Sequence, residues 1–171
     1  MFSNPLKNLK AFGLKDDDVV ADLGAGTGHY SLVAGEIVTR GKVYAVELQK
    51  DFLTMLRSRA TDARLKNIEL IWGNVEKKGG TKIADSVVDA VIASNILFQV
   101  EDKENFIEEI KRILKPKGRV LFVDWSPSSI MKTTAIISPD RALGLFTKKD
   151  FILQRNIDAG EHHYGMILIK N

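Results

Sequence analysis

The sequence has no cysteine among its 171 residues, and none of its apolar runs approaches the ~20 residues that cross a membrane. The absence of cysteine excludes disulfides, cysteine metal sites and a thiol nucleophile. No basic segment followed by an apolar stretch opens the sequence, so we expect a cytoplasmic protein without membrane contacts. A strong charge is missing too, because 25 basic residues stand against 22 acidic ones, and the net charge of +3 does not select nucleic acid as a partner.

Internal repeats and low-complexity stretches are also absent, and the length suits one domain. Strand-like apolar runs alternate with amphipathic helical ones, which is typical of an α/β fold with a mostly parallel sheet covered by helices on both faces. This pattern predicts helices near 5–12, 29–39, 50–63, 102–115 and 147–154, the last of them from a capping box at its start. It predicts strands near 18–23, 42–47, 68–72, 87–93, 118–124, 155–159 and 163–170.

The most informative stretch is a glycine-rich loop after the first predicted strand. Asp22 lies at the end of that strand, and Gly24, Gly26 and Gly28 follow at alternate positions. Glycine tolerates positive φ and lets a ligand approach the backbone, so the loop predicts a binding site at the start of a helix. A dinucleotide loop needs a glycine where His29 stands, and Asp22 would repel its pyrophosphate. An acid here instead suits a cationic group, such as the amino group of a methionine moiety.

Four later segments extend this pattern, namely 41–47, 68–76, 88–95 and 112–124. Together with the glycine loop they resemble, in order, the motifs of the class I S-adenosylmethionine-dependent methyltransferases, most closely the quinone-biosynthesis type. The resemblance implies a Rossmann-like, doubly wound, seven-stranded sheet in the order 3-2-1-4-5-7-6, with only the last strand antiparallel. We expect a single methyltransferase domain over 1–171, with a short helix in 1–15. The segment 125–146 is long for a loop in a compact domain and carries Ile130, Met131, Ile136 and Ile137 as apolar contacts, so we interpret it as a lid or acceptor flap.

The resemblance implies S-adenosyl-L-methionine as the cofactor. Asp22 would face its methionine end, Glu47 would bind both ribose hydroxyls, and the side-chain carbonyl of Asn74 would accept from the adenine amine, where relatives most often have aspartate. The complete set of cofactor-binding residues implied in this way is Asp22, Gly24, Ala25, Gly26, Gly28, Tyr30, Glu47, Leu48, Asn74, Val75 and Ser94.

Two pairs of side chains are candidates for the methyl-acceptor side. Ser94 and Asn95 follow the fourth strand, at the edge where a doubly wound sheet binds ligands, although a helix cap explains this pair equally well. His162 and His163 precede the antiparallel last strand and reach the same edge, where an imidazole can take a proton from the acceptor. We therefore predict His162, His163 and Asn95 as catalytic residues. Adjacent histidines in a strand point to opposite faces, so we predict no metal site.

The sequence leaves the acceptor open. Segment 94–97 lacks the prolines and the aromatic residue of the relatives that methylate amino groups of bases or glutamine, and the missing cysteines exclude cysteine-dependent arsenic methylation. We expect a small-molecule acceptor; an RNA or protein acceptor, and a homodimer that completes the pocket, stay as alternatives. A cofactor-binding subunit without catalysis is a rival from another class. A nicotinamide-dependent oxidoreductase is a further rival, which Asp22 and the glycine spacing disfavour.

Overall fold

The structure is a computed structural model that describes residues 3–128 and 135–171. Within these ranges the chain forms five helices and seven strands. The helices are α1 (Pro5–Phe12), α2 (His29–Ile37), α3 (Lys50–Asp62), α4 (Lys103–Ile113) and α5 (Pro139–Thr147). The strands are β1 (Val19–Leu23), β2 (Lys42–Glu47), β3 (Ile68–Trp72), β4 (Val88–Ser94), β5 (Leu114–Trp125), β6 (Phe151–Ile157) and β7 (His163–Lys170).

The seven strands form one sheet in the order β3-β2-β1-β4-β5-β7-β6. The pairs among β1 to β5 are parallel. Strand β7 is antiparallel to both of its neighbours, β5 and β6. This arrangement confirms the predicted fold class, strand order and antiparallel last strand.

One predicted helix is wrong. The capping-box pattern predicts a helix over 147–154, but the chain turns at Asp150, whose φ is 63°, and continues as β6. Phe151 is buried and Ile152 is exposed, so side chains alternate between the two faces as they do in a strand. The periodicity of three consecutive apolar residues does not distinguish a strand from a helix, and the prediction of a helix over 147–154 was wrong for this reason.

Helix α5 lies in the segment 125–146 except for its last residue, Thr147, and no helix was predicted in that segment. The hydroxyl of Ser138 caps it by accepting from the amide of Arg141 at 3.3 Å. Ile137, one of the apolar residues expected in the flap, is buried in the core. Ile130 and Met131, also expected there, lie outside the described residues.

Helices cover both faces of the sheet because successive strand residues point to opposite sides. Phe122 points to one face, where it packs with Phe106 of α4 and Phe146 of α5 in one buried cluster. Leu121 points to the other face and belongs to the cluster that contains Leu9 of α1. Because helices cover both faces, a site can form where the carboxyl ends of the parallel strands meet, at one edge of the sheet.

In the part of the chain that the structure describes, no helix has the length and apolar character needed to cross a membrane.

Candidate functional site

Two adjoining cavities lie at the carboxyl ends of β1, β2 and β4. The glutamate-side cavity has a volume of about 250 Å³ and lies beside Glu47 and Asn74. The histidine-side cavity has a volume of about 260 Å³ and extends from Asp22 to His163. Gly24 and Asn95 line both cavities, so the two form one elongated site with a junction at these residues.

Glu47 organises the glutamate-side cavity. Its Oε2 accepts a hydrogen bond from the amide of Gly26 at 2.9 Å, and its Oε1 accepts from the amides of Leu48 and Gln49, each at 2.9 Å. The carboxylate therefore fixes the glycine loop relative to the end of β2. Each carboxylate oxygen can accept more than one hydrogen bond, so the group keeps capacity for a ligand with hydroxyl donors.

Asn74 follows β3 on the far wall of the same cavity. Its Oδ1 accepts from the amide of Glu76 at 2.9 Å, which holds the side chain in a turn. The neighbouring lining is partly apolar and includes Phe52, Ile96 and Val100. A slot with apolar walls and an amide at its end suits a flat base that carries an amino group.

The glycine loop joins the two cavities. At Gly26 φ is 54°, and an added Cβ would meet no protein atom within 4 Å, because this residue borders the cavity. At Gly28 φ is 92°, and an added Cβ would lie 2.0 Å from Cδ1 of Leu56. Gly26 thus leaves room for a ligand, whereas Gly28 leaves room for α3. The residues present fit a ligand seated directly on the loop backbone.

Asp22 contributes a buried carboxyl group to the histidine-side cavity. It is 2% exposed, and its Oδ2 accepts a hydrogen bond from the hydroxyl of Ser31 at 2.6 Å. Burial raises the pKa of this carboxyl to about 6, with the charge of Glu47 acting in the same direction and the Ser31 hydrogen bonds opposing it. A ligand cation would restore the interaction that the carboxylate loses by leaving water.

A hydrogen-bonded cluster of Ser3, Asn8 and Tyr30 also borders this cavity, and we call it the hydroxyl cluster. Nδ2 of Asn8 donates to Oγ of Ser3 at 2.9 Å and to Oη of Tyr30 at 2.7 Å, and the two hydroxyl oxygens are 2.9 Å apart. Ser3 and Tyr30 line the cavity. The sequence identified Tyr30 but gave no signal for the other two residues, since they precede the first strand and only the fold brings them here.

His163 borders the histidine-side cavity at the start of β7. It is 7% exposed, and neither ring nitrogen has a hydrogen-bond partner among the described residues. Its ring centroid lies 4.2 Å from that of Trp125, with 34° between the planes. Burial, followed by the proximity of His162, lowers the pKa of His163 and so favours the neutral imidazole. A buried neutral imidazole can accept a proton from a ligand or donate a hydrogen bond to it.

Asn95 lies at the junction of the two cavities in a left-handed conformation, with φ of 53°. Its amide donates to the carbonyl of Val123 at 2.8 Å, which ties the residue to β5. Its side-chain Oδ1 is buried and has no partner in the described structure. An orphaned buried acceptor at the junction indicates a place where a ligand supplies the missing hydrogen bond.

The structure brings most of the predicted site residues together. Two of them line neither cavity: Gly28, which packs against Leu56, and His162, which is half-buried beside the start of β7. The lining residues outside the predicted set are Ser3, Pro5, His29, Val46, Gln49, Phe52, Gly73, Glu76, Ile96, Gln99, Val100 and Trp125. Among the described residues, no group of three or more histidine, aspartate or glutamate side chains is placed to hold a metal ion.

A sheet of this order, an acid before a glycine loop and a second acid at the end of the next strand together define the class I S-adenosylmethionine-dependent methyltransferases. The chain matches the family described as "Methyltransferase domain" over residues 14–158, and it belongs to that family. Membership and fold confirm the predicted class and the predicted cofactor, S-adenosyl-L-methionine.

Three known proteins illustrate the similarity. A demethylmenaquinone methyltransferase from Listeria monocytogenes is 30% identical over 125 residues, which are 72% of this chain and 52% of that protein. An arsenite methyltransferase from Halobacterium salinarum is 27% identical over 139 residues, or 80% of this chain and 35% of that protein. The crystal structure of a SAM dependent methyltransferase from Aquifex aeolicus is 25% identical, with a TM-score of 0.90 over 99% of this chain and 91% of that one. The chain spans about half the length of the first of these curated relatives and a third of the second.

Proposed function

We propose that the chain is an enzyme that transfers a methyl group from S-adenosyl-L-methionine to a small organic acceptor. The observation that carries the proposal is the junction at Asn95 and Gly24, where a cavity suited to an adenosine meets a cavity that ends at an unpartnered histidine. The cofactor would thus span the junction, with its adenosine in the glutamate-side cavity and its methionine end in the histidine-side cavity, where the acceptor would meet it beside His163.

The cofactor supplies a methyl group on a positively charged sulfur when it is bound. Glu47 and Asn74 would hold its ribose and adenine, and Asp22 would hold its amino group. Tyr30, Ala25 and Ser94 line the cavity at the methionine end, and Leu48 and Val75 line it at the adenosine end. Asn95 stands between the halves with a free acceptor oxygen. These residues would bind the cofactor and orient its methyl group. Orientation is most of what transfer from an activated methyl donor needs.

On the acceptor side, His163 would take the proton that an O–H or N–H nucleophile loses, using one of its unpartnered ring nitrogens. Trp125 forms an apolar wall next to it that excludes water from the acceptor. The described lining of this cavity contains no lysine or arginine, so it offers no side-chain cation to the phosphates of RNA. These features favour a small acceptor over a nucleic acid.

Two acceptors are named for the similar proteins, a quinone and arsenite. Thiolates are the soft ligands that such an inorganic centre would need, and this sequence has no cysteine. An aromatic wall of Trp125 and His163 suits a conjugated organic molecule instead. We therefore place the acceptor among organic molecules.

The first test is a calorimetric titration with S-adenosylmethionine, S-adenosylhomocysteine and NADH. We expect micromolar binding of the two sulfur ligands and a loss of at least ~100-fold in both Asp22→Ala and Glu47→Ala, because each variant removes a charged partner of the ligand. Glu69→Ala is the matched control, since Glu69 lies on the outer strand β3, pairs with Lys42 of β2 and lines neither cavity. Binding of NADH, or no binding of either sulfur ligand, would refute the proposal.

The second test concerns the acceptor side. Methyl transfer to a panel of phenols, hydroquinones and amines should be ~100-fold slower in His163→Gln, with the affinity for S-adenosylhomocysteine unchanged, because only proton transfer is removed. His162→Gln is the neighbouring control and should retain activity. Tight cofactor binding without turnover on any organic, RNA or protein substrate would instead identify a cofactor-binding subunit.

A further inference from the structure

Two walls of the glutamate-side cavity come from parts of the chain that are not neighbours in the sheet. One wall is the segment 73–76, which follows β3, and the other lies in the segment 95–100, which follows β4. Strands β2 and β1 lie between β3 and β4. With ~4.8 Å between neighbouring strands, the two walls start roughly 14 Å apart. Strand pairing therefore does not fix their separation directly, and contacts outside the sheet have to fix it.

Glu76 links the two walls by hydrogen bonds. It lines the cavity on the β3 side. Its Oε2 accepts from the amide of Glu101 at 3.1 Å and from the amide of Asp102 at 2.9 Å, directly after the other wall. Asp102 is the N-cap of α4, and its Oδ1 accepts from the amide of Asn105 at 3.0 Å. The Glu76 carboxylate thus binds at the start of a helix, where the helix dipole favours a negative charge.

Glu76 also holds Asn74, the residue at the end of the slot. The main-chain amide of Glu76 donates to Oδ1 of Asn74 at 2.9 Å. The main chain of Glu76 thus orients Asn74, while its side chain holds the start of α4. Through these bonds Asn74 is kept at a set distance from Gln99 and Val100, which line the opposite wall.

Apolar packing holds the same two walls in a different way. Val75 packs against the buried cluster that contains Ile96 and Val100. Such contacts are not directional, so they keep the walls together without fixing their separation, whereas hydrogen bonds have a preferred length. The Glu76 side chain is only half-buried, and the apolar cluster would stay intact without it. A variant of Glu76 should therefore fold and have a less precisely defined slot.

We propose that Glu76 is a positioning residue that sets the width of the glutamate-side cavity and so limits the size of the base that this cavity accepts. The inference rests on the proposed function, which places the adenine of the cofactor between these two walls. Glu76 would act through the walls and would touch no reacting atom. Its loss should therefore change the selectivity between bases more than the affinity for any one ligand.

Calorimetry with S-adenosylhomocysteine and with a derivative that carries a benzyl group on the adenine amine tests the inference. The unmodified protein should bind the bulky derivative ~100-fold more weakly, because the walls leave no room for the added ring. In Glu76→Ala we expect roughly 10-fold weaker binding of S-adenosylhomocysteine and no loss for the derivative, because the hydrogen bonds that hold the walls are gone. Glu76→Asp keeps the charge but is one methylene shorter, so it should change the preference in the same direction. Glu76→Gln keeps the length and an acceptor oxygen and should restore most of the preference.

Glu101→Ala is the matched control. It removes a nearby negative charge and keeps the amide that donates to Glu76, and its exposed side chain lines neither cavity, so both affinities should stay unchanged. Equal losses for the two ligands in Glu76→Ala and Glu76→Asp would show that Glu76 only supports the fold, and equal binding of both ligands by the unmodified protein would show that the walls do not limit the base; each result overturns the inference. Failure of the unmodified protein to bind S-adenosylhomocysteine would instead refute the proposed function.

Discussion

At the scale of single residues, the buried aspartates Asp22 and Asp124 both have a raised pKa but lie in different surroundings. Burial raises the pKa of Asp22 and of Asp124 to about 6. Asp22 borders a cavity, whereas Asp124 lines neither cavity, and its Oδ2 has no partner in the described part of the chain. The first carboxyl can recover its desolvation cost from a cationic ligand, and the second cannot recover it in this way.

The affinity for S-adenosylhomocysteine should therefore depend on pH through Asp22. With a pKa of about 6, the carboxyl is mostly protonated at pH 5 and mostly ionised at pH 7, so binding of the amino group should tighten about 10-fold between these values. Titration calorimetry across this range measures the effect. Asp22→Asn should bind weakly with no such rise, and a rise that persists in this variant would assign the pH dependence to another group.

Asp124 should instead affect stability. Its pKa is raised from 3.8 unfolded to about 6 folded, so the folded state binds the proton more tightly, and stability falls as pH rises from 4 to 6. Asp124→Asn should raise the free energy of unfolding by ~3 kcal/mol at pH 8 and have little effect at pH 4. Urea unfolding at both pH values measures this, and an equal change at both would show that charge is not the cause.

At the scale of elements, two glycines in the turn from β1 to α2 have different roles. Gly28 is needed for packing, and Gly26 leaves space for a ligand. Gly28 faces the side chain of Leu56, whereas Gly26 faces open space at the cavity. Both have positive φ, so alanine carries a backbone cost of about 1 kcal/mol at either position. Only at Gly28 does a methyl group also collide with the core.

Gly28→Ala should therefore lower the free energy of unfolding by roughly 2–4 kcal/mol, while the folded fraction still binds cofactor. Gly26→Ala should lower it by only about 1 kcal/mol and yet weaken S-adenosylhomocysteine binding at least ~10-fold, because the methyl group occupies ligand space. Thermal unfolding and calorimetry on the two variants measure both quantities. The reverse pattern would mean that Gly26 lies outside the ligand's path.

At the scale of the whole molecule, one ionic network attaches the irregular segment between β3 and β4, which contains Thr81, to helix α4. The buried carboxylate of Glu109 accepts from the hydroxyl of Thr81 at 2.6 Å and from Nη2 of Arg112 at 2.7 Å. Burial alone would raise the pKa of Glu109, but the hydrogen bonds from Arg112 and Thr81 outweigh it and lower the pKa to about 2. This network lies away from both cavities and serves stability.

Arg112→Ala should cost about 3–5 kcal/mol in the free energy of unfolding, because it leaves a buried carboxylate without its cation. The double variant Glu109→Gln with Arg112→Met should recover part of this loss. Urea unfolding measures both, and exposed Arg141→Ala serves as the control. A small effect of Arg112→Ala alone would show that water replaces the guanidinium.

The sequence predicted the parts of the site that follow directly from strand ends. Asp22, Glu47 and Asn74 each end or follow a parallel strand, so their common edge could be deduced once the sheet was predicted. Ser3 and Asn8 could not be found in this way, since their contact with Tyr30 depends on how α1 packs on α2. The error at 147–154 has a similar cause, because a short apolar run takes its conformation from the strand it pairs with.

The two cavities draw on different parts of the chain. The glutamate-side cavity uses residues between Gly24 and Val100, whereas the histidine-side cavity spans Ser3 to His163. During synthesis on the ribosome, a nascent chain that has emerged to residue 100 contains every residue of the first cavity but lacks Trp125 and His163. The histidine-side cavity can thus form only after β7 has begun to emerge, so every residue of the glutamate-side cavity leaves the ribosome before the histidine-side cavity is complete.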